Sequence, residues 1–250
     1  MEIKILPNYL TLSKATAELI VHYINKNPKA LICFASGHTP LGVFEELRLA
    51  QQSKKIDLRN CRFLSLDEWI GIDPSDPGSC LSMLQKDCFG PLEIKKDQIE
   101  FFHVLTSDLE AECERINKLI EVNNGLDIML VGVGTNGHIG MNEPGTPFDA
   151  YAHISTLAEE TKTVGQKYFK KATILSQGIT LGLQHLRESK LPIVMASGIK
   201  KAPIIAKALE GSATEVIPMS VIHQISSGYI MLDADAASMI NPALSLGIKN

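Results

Sequence analysis

The chain has 250 residues, 45% apolar and 21% charged, with a formal net charge of −4. That length fits one large α/β domain or two small ones, and the acidic balance leaves no broad basic surface for a nucleic acid. No basic-then-apolar leader opens the sequence and no apolar run approaches the roughly 20 residues that span a bilayer, so a cytoplasmic protein without membrane contact is expected.

In chain order, an amphipathic stretch at 13–25 predicts a helix, and the short apolar run 31–35 predicts a buried strand. SGHTP at 36–40 follows, then a helical pattern over 41–51. Thr39 suits an N-cap and Pro40 the first helical turn. The free N–H groups of a helix start form an anion site, and Gly37 lets the backbone come close, with Ser36 and Thr39 hydroxyls available to phosphate oxygens. His38 lies inside the same loop. A plain capped turn accounts for these residues as well, and the absence of a Walker lysine argues against a nucleoside triphosphate.

A second strand is predicted at 62–66, running into Asp67, Glu68 and Trp69. Adjacent carboxylates beside Leu66 and Trp69 are candidates for proton transfer, because an apolar setting and a like charge both raise a carboxyl pKa. A solvated acidic turn is the plainer alternative. The turn-rich segment 73–79 is read as a cover or a connection. A helix is predicted at 108–123, where Leu109, Cys113, Ile116, Leu119 and Ile120 recur on one face.

The most specific segment follows the predicted strand 126–133. GVGTNGHIGMNEPG at 132–145 packs four glycines into nine positions, marking a backbone that turns sharply against a ligand. It holds one imidazole, His138, and one carboxylate, Glu143. Imidazole is the natural acid/base near neutral pH, although a structural histidine bonding loop carbonyls fits too. The His–Glu spacing is wrong for zinc, and GxGxxG at Gly132, Gly134 and Gly137 lacks the immediate helix of a dinucleotide site. A further strand at 191–196 and helix at 200–210 complete the alternation. Together the pattern predicts a doubly wound, mostly parallel sheet with helices on both faces, whose ligands bind at the carboxyl ends of the strands. Cys33, Cys61, Cys80, Cys88 and Cys113 are odd in number with no CxxC pair, and read as free thiols. His22, His103 and His185 read as structural.

SGHTP at 36–40, LDEW at 66–69, GVGTNGHIGMNEPG at 132–145, GITLGL at 178–183 and the stretch around Lys200 together resemble the glucosamine-6-phosphate deaminase family, which also includes 6-phosphogluconolactonases. The resemblance implies one Rossmann-like α/β domain over residues 1–250, no cofactor and no metal, and an aldose–ketose isomerisation coupled to loss of ammonia. It implies Asp67 as the proton-transfer base, His138 as the catalyst of sugar ring opening and Glu143 as its carboxylate partner. Ser36, Gly37, Thr39 and Lys200 resemble the phosphate-binding set, with Lys167 or Lys162 as a second cation. Asn136 stands where these deaminases usually carry Asp. LDEW, PGSC at 77–80, Asn136 and HIS at 153–155 are more similar to the galactosamine-6-phosphate branch, so galactosamine 6-phosphate is the expected substrate, giving tagatose 6-phosphate. Glucosamine 6-phosphate, a lactonase reaction and a non-catalytic sugar-phosphate sensor are the alternatives. The expected partner is a small amino sugar phosphate, with a homo-oligomer left open.

Overall fold

The computed structural model of the chain describes residues 1–241. Its main sheet has seven strands, all parallel: β1 (Glu2–Leu6), β2 (Leu31–Phe34), β3 (Arg62–Ser65), β5 (Ile99–Glu100), β6 (Ile128–Gly132), β9 (Leu191–Ala196) and β10 (Tyr229–Asp233). They lie in the order β1-β10-β9-β6-β2-β3-β5. A small antiparallel sheet joins β4 (Asp67–Trp69), β8 (Gln177–Thr180) and β7 (His153–Thr156) in that order.

Strand alternation explains how the sheet is covered on both sides. In β2, Ile32 and Phe34 pack with Leu12, Ile20, Val43 and Phe44 from α1 (Tyr9–Lys26) and α2 (Leu41–Gln52). Leu31 and Cys33 face the other way, toward Ile116 of α4 (Leu109–Val122) and Ile205 of α7 (Ala202–Glu210) within the second core cluster. Each strand position is therefore spent on one of two cores, which is why the central strands read as continuous apolar runs.

Several predicted elements shift. α1 begins at Tyr9 rather than 13 because Asn8 caps it, its Oδ1 accepting from Thr11 N–H at 3.0 Å. The helix predicted from 200 splits into a tight turn, Ile199–Lys201, followed by α7. Thr39 does not cap α2. Pro40 occupies the N-cap, and the Tyr9 hydroxyl accepts the Gly42 N–H at 2.8 Å, doing the work expected of the threonine. Thr39 Oγ1 is thereby left to face the Gly132 backbone.

β2, β3 and β5 run outward to one side of the sheet and β6, β9, β10 and β1 to the other. The order reverses between β2 and β6. At such a switch point the loops after adjacent strands diverge and leave a crevice at their carboxyl ends.

Candidate active site

The crevice is a cleft of about 190 Å³. Ser36, Gly37, His38 and Thr39 after β2 form one wall, and Gly132 to Thr135 with His138 after β6 form the facing one. Asp67 and Trp69 line the floor beside Cys80 and Met83, and Thr161 and Tyr168 close over from the segment after β7.

The paired carboxylates separate because β4 is extended and successive side chains alternate. Asp67 lines the cleft and is 7% exposed. Glu68 points away and accepts the N–H groups of Trp69, Cys80 and Leu81 at 2.8–2.9 Å, holding the start of α3 (Cys80–Leu84). Burial raises the Asp67 pKa from 3.8 to about 7; the thiol of Cys80, in hydrogen-bond contact, opposes the rise and the neighbouring Glu68 adds to it. The Cys80 thiol is itself pushed well up by burial and by both carboxylates, so it stays a neutral donor. Of the two acids, only Asp67 lines the cleft.

His138 is fixed by its own loop. Its carbonyl accepts from Gly134 N–H at 2.8 Å, and its N–H donates to Asn136 Oδ1 at 3.1 Å. The imidazole lies directly over Gly134, where any Cβ would overlap the ring. The Asn136 amide donates to Glu143 Oε2 at 3.1 Å, and that oxygen is 3.8 Å from His138 Nδ1. Asn136 therefore holds the carboxylate and the His138 backbone, and makes no bond to the imidazole ring. Burial lowers the His138 pKa, with Lys201 adding to the effect and Glu143 and Glu160 opposing it. Asn142 donates to the carbonyls of Ile139 and Leu181, both at 2.8 Å, tying the glycine-rich loop to the end of β8.

The phosphate-loop residues Ser36, Gly37, His38 and Thr39 all reach the cleft, and Gly37 takes φ +88°, with its Cα facing the Tyr168 hydroxyl. His38 stacks on the Tyr168 ring with centroids 5.6 Å apart. The lysines fall differently from expectation. Lys200 is exposed and outside the cleft, while Lys201 lines it, with burial lowering its pKa. The turn Ile199–Lys201 decides this, since neighbouring residues on a helical turn face different directions. Lys167 is exposed on a turn outside the cleft lining, and Lys162 lies outside it too, paired with Glu159 at 2.7 Å. Thr161 and Tyr168 carry no local signal, because each reaches the cleft only through packing of distant segments. Among the described residues no group of three or more His, Cys, Asp or Glu side chains is arranged to hold a metal ion.

A parallel sheet with an acid, an imidazole and a phosphate-type loop converging at its switch point defines an α/β enzyme scaffold for a small anionic substrate. The profile described as glucosamine-6-phosphate isomerases/6-phosphogluconolactonase matches residues 9–231, and the chain belongs to that family. It is 35% identical to a glucosamine-6-phosphate deaminase of Geobacillus sp. (strain WCH70), covering 93% of each chain. It is 33% identical to glucosamine-6-phosphate deaminase 1 of Bacillus subtilis (strain 168), covering 92% of this chain and 96% of the relative. Among solved structures, a monomeric glucosamine-6-phosphate deaminase superposes with a TM-score of 0.92 at 32% identity, covering 96% of this chain and all of the other. A 6-phosphogluconolactonase from Trypanosoma brucei shares the fold, with a TM-score of 0.76 at 19% identity over 96% of this chain and 98% of its own.

Proposed function

We propose that the enzyme isomerises and deaminates a 2-amino-2-deoxyhexose 6-phosphate, releasing ammonia and a ketose 6-phosphate. The observation that carries this reading is that Asp67 and His138, from distant stretches, line one cleft with the Ser36–Thr39 loop. The 6-phosphate sits on that loop and on Lys201. Its anchoring fixes the distance from phosphorus to C2, and such positioning is worth several powers of ten in rate.

His138 gives a proton to the ring oxygen and takes one from the anomeric hydroxyl, opening the pyranose to the aldehyde. The C2 proton is then α to a carbonyl. Asp67, whose buried carboxylate is a stronger base than an ordinary one, removes it and returns it to C1 through an enolamine intermediate, the C1 oxygen taking up a proton as the C1–C2 double bond forms. The C2 imine that results takes up water and releases ammonia. Glu143 stabilises the imidazolium from the side opposite the sugar.

For the epimer at C4, the relatives reported above are named for the gluco sugar, and glucosamine 6-phosphate giving fructose 6-phosphate is the first reading. The galacto sugar is the second, favoured by one observation: Trp69 and Cys80, two residues carrying the resemblance to the galactosamine branch, both line the cleft beside Asp67. A coupled ammonia assay with both sugars tests the proposal. Release from glucosamine 6-phosphate at the higher kcat/KM supports the first reading, and from galactosamine 6-phosphate the second. Release from neither, with hydrolysis of 6-phosphogluconolactone, refutes both.

A further inference from the structure

His138 Nδ1 has two neighbours competing for one hydrogen bond. The Thr161 hydroxyl, on α5 (Glu159–Gly165), lies 3.1 Å away. Glu143 Oε2 lies 3.8 Å away, beyond hydrogen-bond range, and Glu143 Oε1 is buried with no partner. The carboxylate that should serve the ring is thus held off it, and a neutral hydroxyl stands in its place.

We propose that Thr161 is a positioning residue for His138: its hydroxyl donates to Nδ1, holds the resting imidazole as the Nε2–H tautomer, and yields Nδ1 to Glu143 when the ring carries charge. This rests on the reading of His138 as the acid/base group.

The direction of the bond follows from satisfying donors. Thr161 is 5% exposed, and its hydroxyl has no other hydrogen-bond partner among the described residues. A buried hydroxyl hydrogen left unpaired is costly, whereas an empty lone pair on the same oxygen is not. The hydroxyl therefore donates, Nδ1 accepts, and the one proton of a neutral imidazole resides on Nε2. The charged groups facing the ring are Glu143 from its own loop, Glu160 from α5 and Lys201 from the turn before α7, with the neutral Asn136 behind Glu143. Burial and Lys201 outweigh the two carboxylates and keep the resting ring neutral.

A neutral Nε2–H imidazole has no lone pair on Nε2, and giving up that proton would leave an imidazolate. For the proposed ring opening, Nδ1 must first take a proton from solvent and turn from Thr161 to Glu143. The imidazolium then donates its Nε2 proton to the sugar ring oxygen and recovers one from the anomeric hydroxyl, ending as it began. Glu143, whose Oε2 lies 3.8 Å from Nδ1, is the carboxylate that accepts the new N–H in that state.

The test is nitrogen-15 NMR of the histidine rings without substrate, the His138 signals being identified by their loss in His138→Gln. The wild type is expected to show a protonated Nε2 and a bare Nδ1. Thr161→Val keeps the branched shape and removes the hydroxyl. The proton should move to Nδ1, facing Glu143, and titration of the ring should move to higher pH by roughly half to one unit, as expected for losing one hydrogen bond to the neutral form. Thr161→Ser should restore the wild-type pattern. In kinetics, Thr161→Val should keep KM within about twofold while the pH profile of kcat shifts. A wild-type ring protonated on Nδ1, or a Thr161→Val ring indistinguishable from wild type even with altered thermal stability, overturns the proposal. Because the ring spectrum needs no substrate, the expected tautomer in a protein whose His138→Gln variant releases ammonia at the wild-type rate upholds the Thr161 contact and sinks the assigned role of His138.

Discussion

Asp67→Asn should make the protein a much poorer catalyst and, at alkaline pH, a relatively more stable one. Burial raises the Asp67 pKa from 3.8 to about 7, so the folded state binds this proton more tightly than the unfolded chain does. Below the unfolded pKa the carboxyl is protonated in both states and costs nothing. As pH rises through the folded pKa the native state must hold a buried carboxylate, and stability is lost. At about 1.4 kcal/mol per pH unit, the full penalty above pH 7 is on the order of 4 kcal/mol, an upper figure for one buried group. Asparagine abolishes the titration but leaves a buried amide whose extra donor costs roughly 1–3 kcal/mol. The diagnostic quantity is therefore the slope, not the offset. The stability of Asp67→Asn relative to wild type should rise by several kcal/mol between pH 4.5 and pH 8, because other groups titrate alike in both proteins and cancel. Urea unfolding at those two pH values measures it. Ammonia release should fall by roughly 10² to 10⁴, the usual worth of a positioned proton-transfer group. In wild type, kcat/KM should climb with pH through the region near 7 as the carboxyl ionises. A stability difference independent of pH would mean that Asp67 is not the desolvated carboxyl described above. Unchanged turnover would remove it from the chemistry.

Gly134→Ala places a methyl group where the His138 ring lies, so turnover should drop by at least a hundredfold while inorganic phosphate binds with near wild-type affinity; calorimetry and ammonia release measured together check this. Lys201→Met should raise KM by about 10- to 100-fold, the worth of one charge-assisted hydrogen bond, whereas Lys200→Met should leave it within twofold; equal effects would return the phosphate role to both lysines. Glu68→Ala leaves two buried N–H groups and one part-buried one without their acceptor and should lower stability by about 3 kcal/mol in denaturant unfolding, with any loss of activity following from displacement of Cys80 and Trp69.

The parallel sheet was legible in the sequence because its central strands are buried on both faces, and a strand that must satisfy two cores shows as an unbroken apolar run, as in β2 and β6. The edge strand β1 and the short strand β5 meet fewer such demands and left no clear trace. The glycine-rich loop was equally legible, since Gly134 answers to a ring four residues away in the same loop, a constraint local enough to be written in spacing.

Local sequence is enough to specify the groups bound to their own backbone neighbourhood: Ser36 to Thr39 at a strand-to-helix turn, Asp67 at a strand end and His138 in its glycine loop. Tertiary structure alone decided which groups meet across long stretches of chain. It turned Glu68 away from the cleft and Asp67 into it, freed Thr39 by supplying the Tyr9 hydroxyl, chose Lys201 over Lys200, and brought the Thr161 hydroxyl to His138 Nδ1. The reason is physical: side-chain direction and desolvation belong to the packed environment of a group, and that environment is built from residues far away in sequence.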